Sequence, residues 1–169
     1  MKRSKASWVS VAAIVAIMTW AQVGFAQTDG NTNPAVGTWK MNLTKSKYDP
    51  PNLAPKSQTI TTEASGKNGI KQTAEGVNAD GGKFSRSFTA NYDGKDYPYI
   101  TGVGPSGGDA ISMKRIDAYT VDTVEKKAGK VVRTSRTVYS KDGKLRTITS
   151  KGTGPSGQPT NNVTVYDRQ

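Results

Sequence analysis

From residue 36 onward the chain is a train of short segments in which apolar and polar residues alternate, broken by turns rich in glycine. No stretch of ten residues keeps a helical period, and β-branched residues dominate the segments. Strands are predicted at 36–42, 57–64, 70–77, 83–92, 96–103, 110–116, 120–127, 130–140, 145–152 and 162–167. Asp93-Gly94, Asp142-Gly143 and the glycines at 66, 81, 82 and 129 supply the positive φ that tight hairpin turns need. Connections this short make consecutive strands antiparallel neighbours. The expected fold is therefore all-β, an up-and-down antiparallel meander of about eight to ten strands. Closure into a barrel hides its two edges most simply, and a two-sheet sandwich is the alternative.

One segment departs from the alternation. Residues 43–56 hold Thr44-Lys45-Ser46-Lys47-Tyr48, enough for one helical turn, but Pro50 and Pro51 stop it and Pro55 keeps the chain extended. A cap over a barrel mouth and an ordinary surface loop both fit this stretch. A weaker feature is an internal echo. Asp93-Gly94-Lys95 precedes Gly104-Pro105-Ser106-Gly107 much as Asp142-Gly143-Lys144 precedes Gly154-Pro155-Ser156-Gly157. Two copies are too few for a solenoid, and neither ends in the Gly-Lys-Ser/Thr of a phosphate loop.

The first residues follow another pattern. Lys2, Arg3 and Lys5 precede an almost uncharged apolar run at 8–20, and the small residues Gly24 and Ala26 come next. This is the layout of a secretory signal peptide at 1–26, cleaved after Ala26, with an uncleaved membrane anchor as the alternative. A flexible polar lead-in at 27–35 and a single domain at 36–169 follow. The expected location is the periplasm or the extracellular space. The chain from residue 27 has a net charge of +8, but the charges are scattered without long runs. A peripheral contact with envelope polymer or anionic lipid is therefore open to it. Nucleic-acid binding is not expected, and a monomer is.

The chain has neither cysteine nor histidine. An exported domain without disulfides must rest on its own core and ladder. Ser-His-Asp and Cys-His nucleophilic sites are excluded, as are histidine-based zinc sites. No catalytic residue, metal or cofactor is expected, and the chain does not read as an enzyme.

Gly37-Thr38-Trp39 on the first strand, followed by an irregular segment and a β-meander, resembles the lipocalin and fatty-acid-binding superfamily of small, calycin-type barrels. The run from Gly37 to Asn42, then Lys45-Ser46-Lys47-Tyr48-Asp49-Pro50, is similar to a group of small exported bacterial barrel proteins of unassigned activity. Tyr92-Asp93-Gly94-Lys95-Asp96-Tyr97-Pro98 and Asn161-Asn162-Val163-Thr164-Val165-Tyr166-Asp167 extend the likeness over nearly all of the chain beyond the leader. The resemblance makes Gly37 and Trp39 a structural signature. It implies that an arginine from a late strand, Arg146 or Arg168, lies across the indole as a cation–π lid. The fatty-acid-binding branch anchors a carboxylate through Arg-x-Tyr on its last strand. Here that position reads Thr164-Val165-Tyr166, a departure that weighs against a fatty-acid ligand.

Alternation along 83–92 puts Phe84, Arg86, Phe88, Ala90 and Tyr92 on one face, expected to point inward. An inward Arg86 requires a carboxylate, a ligand anion or a place at the rim, because an unpaired internal charge is costly. Arg115 shares a face with Ile111 and Met113, so the same argument applies. The two faces of 131–139 cannot be separated. Tyr97 and Tyr99 flank Pro98, which argues for an edge or bulged strand. The expected function is a non-enzymatic exported protein that holds a small amphipathic or anionic molecule inside the barrel. Its ligand-binding residues would be Phe84, Arg86, Phe88, Tyr92 and Arg115. The alternative is a filled barrel that acts as a structural or interaction protein through its basic surface.

Overall fold

The computed structural model describes residues 33–154 and 156–169. The expected signal peptide and the lead-in up to residue 32 lie outside the described residues. The last three residues expected in the flexible lead-in are packed instead. Ala35 is fully buried, and its carbonyl accepts the Trp39 indole N–H at 2.9 Å. A buried indole N–H needs such an acceptor, and the chain just before β1 supplies it.

Ten strands follow: β1 Gly37–Lys47, β2 Ser57–Ser65, β3 Gly69–Val77, β4 Lys83–Asn91, β5 Asp93–Thr101, β6 Ala110–Arg115, β7 Thr120–Lys127, β8 Lys130–Tyr139, β9 Leu145–Thr153 and β10 Pro159–Arg168. Each pairs antiparallel with the next, and β10 returns to pair with β1, so the sheet is a closed barrel rather than a sandwich. Closure leaves none of these strands with an unpaired edge.

Two of the four register shifts in the ladders bear on the expected strands. β1 continues past Asn42, but its ladder with β10 jumps from Asn42 opposite Val165 to Lys47 opposite Val163. Residues 43–46 bulge out between those pairs. The Ser46 hydroxyl bridges the gap, donating to the Asn42 carbonyl at 2.6 Å and accepting the Val165 N–H at 2.9 Å. A bulge interrupts alternation, so this part of the strand looked like loop. The second irregularity lies between Ser87 opposite Thr101 and Phe88 opposite Tyr99. Ile100 is the extra residue and is 62% exposed. Pro98 thus accompanies a bulge, not an edge.

The two ends of the barrel differ. At one end Trp39 is fully buried, with the Tyr139 ring 5.5 Å from it and tilted by 52°. Arg168 covers the indole from outside at 4.3 Å, and its guanidinium donates to the carbonyls of Gly143, Val36 and Pro34. Of the two arginines that could form the lid, it is therefore Arg168. Gly37 is required beneath it. Its φ of +131° disfavours a side chain, and a Cβ there would stand 2.5 Å from Arg168 Nη1. At the other end, the connections after β1, β3, β5, β7 and β9 surround an opening.

Candidate functional site

The interior is hollow. A cavity of about 1230 Å³ runs inward from the opening, walled by inward positions of most of the strands and rimmed by four of the five connections at that end, with Lys127 of β7 beside the fifth. The β1–β2 connection, with one 3₁₀ turn at Pro51–Leu53, contributes Asn52, Leu53 and Pro55 to the wall. The mouth reading of that segment is the observed one. Both copies of the Gly-Pro-Ser-Gly echo sit on the same rim. In each, the amide of the last glycine donates to the carbonyl of the first, Gly107 to Gly104 at 2.8 Å and Gly157 to Gly154 at 3.0 Å.

Period-two alternation delivers the wall residues. β2 provides Gln58 and Ile60; β3 provides Gln72 and Ala74; β4 provides Phe84, Arg86 and Phe88. Tyr99 of β5 stands edge-on to Phe88 at 5.7 Å. β6 adds Ile111 and Met113, and β7 adds Val121 and Thr123. β8 turns Arg133, Ser135, Thr137 and Tyr139 inward, while Val131 and Val138 face solvent, 58% and 44% exposed. Polar and apolar residues occur on both faces, with Thr134 and Arg136 outside beside the valines, Val132 on the cavity wall and a register shift between Val131 and Arg133. That is why neither face stood out in the sequence. β9 and β10 complete the wall with Arg146, Ile148, Thr164 and Tyr166.

Three arginines therefore line the cavity, and their counter-charges are few. Arg146 is 5% exposed, and no carboxylate lies within ion-pair distance of it among the described residues. Its Nη2 donates to Gln72 Oε1 at 3.0 Å, while Nε and Nη1 are buried without an acceptor. The Tyr139 and Tyr166 rings flank it at 5.7 and 5.8 Å. Arg86 is half-buried over the Phe84 ring at 4.5 Å and makes no ion pair among the described residues. Burial pushes its proton affinity below the ordinary arginine value. Arg133 has one acidic neighbour, Glu125, at a long 3.9 Å.

Glu125 is committed elsewhere. Its Oε1 accepts the amides of Ser106 and Gly108 at 2.9 Å each, which pins the β5–β6 connection. A Cβ at Gly104 would collide with that oxygen, so only glycine lets the backbone lie against the carboxylate.

The phenols follow the same logic. Burial raises Tyr48, Tyr99, Tyr139 and Tyr166, the last to about 12, because a phenolate in the wall would lack water. They are held as neutral groups. Tyr166 donates to Gln58 Oε1 at 3.1 Å, and Tyr48 accepts the Thr164 hydroxyl at 3.1 Å.

Of the five residues expected to bind a ligand, the structure brings Phe84, Arg86 and Phe88 together on the cavity wall. Tyr92 and Arg115 are not there. They stack on each other at 4.1 Å, and Tyr92 accepts a hydrogen bond from Asn33 at 3.3 Å, next to the segment that closes the barrel. Alternation assigned their face correctly but not their depth. The inward face of β4 and β6 runs the length of the barrel, and its far end is the closed one. For Tyr97 and Tyr99 the sequence leaves a cavity mouth and ordinary surface aromatics both open, and Tyr99 lines the cavity. Arg133, Arg146, Tyr139 and Tyr166 were missed as site residues. Arg146 alternates with Ile148, a faint signal that it points inward. β8 offered none.

No protein-family model matches the chain, and no curated sequence matches it. Solved structures do resemble it. The fluorescent protein UnaG superposes in its wild-type form with TM-score 0.51 at 16% identity, covering 79% of this chain and 96% of that one. A point mutant of UnaG superposes with TM-score 0.52, again at 16% identity, covering 80% and 96%. Lobster apocrustacyanin A1 superposes with TM-score 0.43 at 15% identity, covering 85% of this chain and 66% of that one. The fold is lipocalin-like.

Proposed function

We propose that this is an exported, non-enzymatic binding protein that holds a small amphipathic or anionic molecule inside the barrel. The observation that carries the reading is Arg146: a buried guanidinium in the wall of a large cavity, with two of its nitrogens lacking any acceptor among the described residues. A charge in that position costs several kcal/mol unless something pairs with it. A bound anion would supply the pairing. Phe84, Phe88, Ile111 and Met113 give the same ligand an apolar wall, and Arg86 provides a second cationic contact. A hollow interior of this size supports binding over the filled-barrel alternative. Export rests on the leader-like pattern at 1–26.

The test is a titration of the purified protein with an anionic naphthalene-sulfonate dye and with a neutral naphthalene of similar size. Saturable one-to-one binding of the anion, weakened at least tenfold by Arg146→Gln, is expected. Equal uptake of both dyes, or uptake indifferent to Arg146→Gln, would overturn the anion reading.

A further inference from the structure

We infer that the cavity is built for an elongated dianion, with one acidic group on Arg146 at the inner end and the other between Arg86 and Arg133 nearer the mouth. This rests on the anion-binding reading above and adds the number and spacing of the charges.

The first support is charge balance. Arg86, Arg133 and Arg146 face the cavity, and the one buried carboxylate near them, Glu125, reaches only Arg133, at 3.9 Å. Three guanidinium groups against one carboxylate leave two positive charges without a partner. The rim charges Asp80, Lys83 and Lys127 are exposed and screened by water, so they do not change that balance. A monoanion on Arg146 would leave the half-buried Arg86 without a counter-charge. A dianion neutralises both.

The second support is depth. Arg146 lies opposite Tyr139 in the β8–β9 ladder, and Arg133 lies opposite Gly152. Along β8 those levels are six residues apart, roughly 20 Å at about 3.3 Å per residue. The tilt of barrel strands, about 35–45°, shortens this to roughly 15 Å along the axis. Arg86 belongs to the outer level. Its own side chain packs toward Phe84, and Gly102 of the β5–β6 connection approaches its Cα and Cβ. The backbone register thus sets Arg146 and the pair Arg86 and Arg133 at two levels of the cavity.

The third support is the wall between them. Ile60, Phe88, Ile111, Met113, Val121 and Ile148 line the cavity and offer no hydrogen bond. Ser135 and Thr137 lie between the two levels on the β8 side, so a ligand reaching from one level to the other meets an apolar wall with a few hydroxyls on one side. The chemical class is an amphipathic diacid with its two acidic groups at opposite ends.

The experiment compares linear α,ω-dicarboxylic acids of about 10–16 carbons with the monocarboxylic acids and the monomethyl esters of the diacids at matched length, by calorimetric titration of the purified protein. The expected result is a diacid affinity at least tenfold above that of its own monoester, with an optimum length within the series. Arg86→Gln with Arg133→Gln should remove that advantage, bringing the diacid to the affinity of its own monoester. Arg146→Gln should weaken both. The ester comparison uses the unaltered protein, so it stands even where a variant fails to fold. Equal affinity of diacid and monoester would overturn the dianion inference while leaving the anion-binding reading in place. Absence of binding by every acid in the series would overturn both.

Discussion

Arg146 and Arg168 carry the same charge and lie at opposite sides of a question about cost. Arg168 is exposed, covers an indole and donates to three backbone carbonyls, so its charge is both hydrated and used. Arg146 is buried and half satisfied, so it destabilises the empty barrel. Arg146→Met should raise the stability of the ligand-free protein by about 1–3 kcal/mol in urea unfolding while removing anion binding. A variant that is less stable and still binds would show that Arg146 is a structural group. Gly37 gives the opposite expectation. Alanine there meets both an unfavourable φ and the Arg168 guanidinium, so Gly37→Ala should lose about 1–3 kcal/mol. Trp39 emission reports the same contact, and it should shift to the red when Arg168→Ala uncovers the ring.

At the scale of elements, the mouth is held by side chains that accept backbone amides. Glu125 of β7 holds Ser106 and Gly108, and Gln158 holds Ser156 at 2.9 Å in the second copy of the echo. The two Gly-Pro-Ser-Gly runs thus share a turn design, each with an acceptor from outside the four residues. Glu125→Ala should speed amide exchange at Ser106 and Gly108 by about tenfold or more while leaving the β9–β10 connection unchanged, because each lost hydrogen bond is worth about 1–3 kcal/mol locally. Unchanged protection would mean that the connection is held by its backbone alone. β8 shows how an element can hide its role. Its inward face is Arg133, Ser135, Thr137 and Tyr139, polar because it borders a cavity and not a packed core.

For the whole molecule, ionisation limits stability from both sides. Asp93, Asp117, Asp122, Asp142 and Asp167 are held below the usual carboxylate range, by backbone amides at Asp93 and Asp117, by the Ser140 hydroxyl at Asp142, by Arg136 at Asp122, and by Asn42 and Lys45 at Asp167. Their folded values are depressed, so the unfolded chain takes up protons first as the pH falls. Their contribution is present above the ordinary carboxylate value of about 4 and is lost below it, and Tm should be flat near neutrality and fall there. The buried tyrosines have raised values, so the sign reverses. Their contribution is complete below the ordinary tyrosine value of about 10 and disappears as the pH climbs past it. For Tyr166 the loss runs up to about 12. Thermal melts across the pH range should show both limits, and an acid-insensitive Tm would contradict the first.

The positions of the strands, the antiparallel meander and the tight turns were legible in residue order, because alternation with period two and glycine at positive φ are local properties. So was the inward face of β4, with Phe84, Arg86 and Phe88. Closure into a barrel was the expected solution to the two unpaired edges, and the pairing of β10 with β1 bears it out. The choice of Arg168 over Arg146 as the lid on Trp39 and the exclusion of Tyr92 and Arg115 from the cavity came only with the tertiary structure. Each depends on where a residue lies along the barrel axis. Alternation says which face a side chain takes and nothing of its depth. The gathering of Arg86, Arg133 and Arg146 from β4, β8 and β9 is of the same kind: strands far apart in sequence meet across a cavity only once β10 has paired with β1.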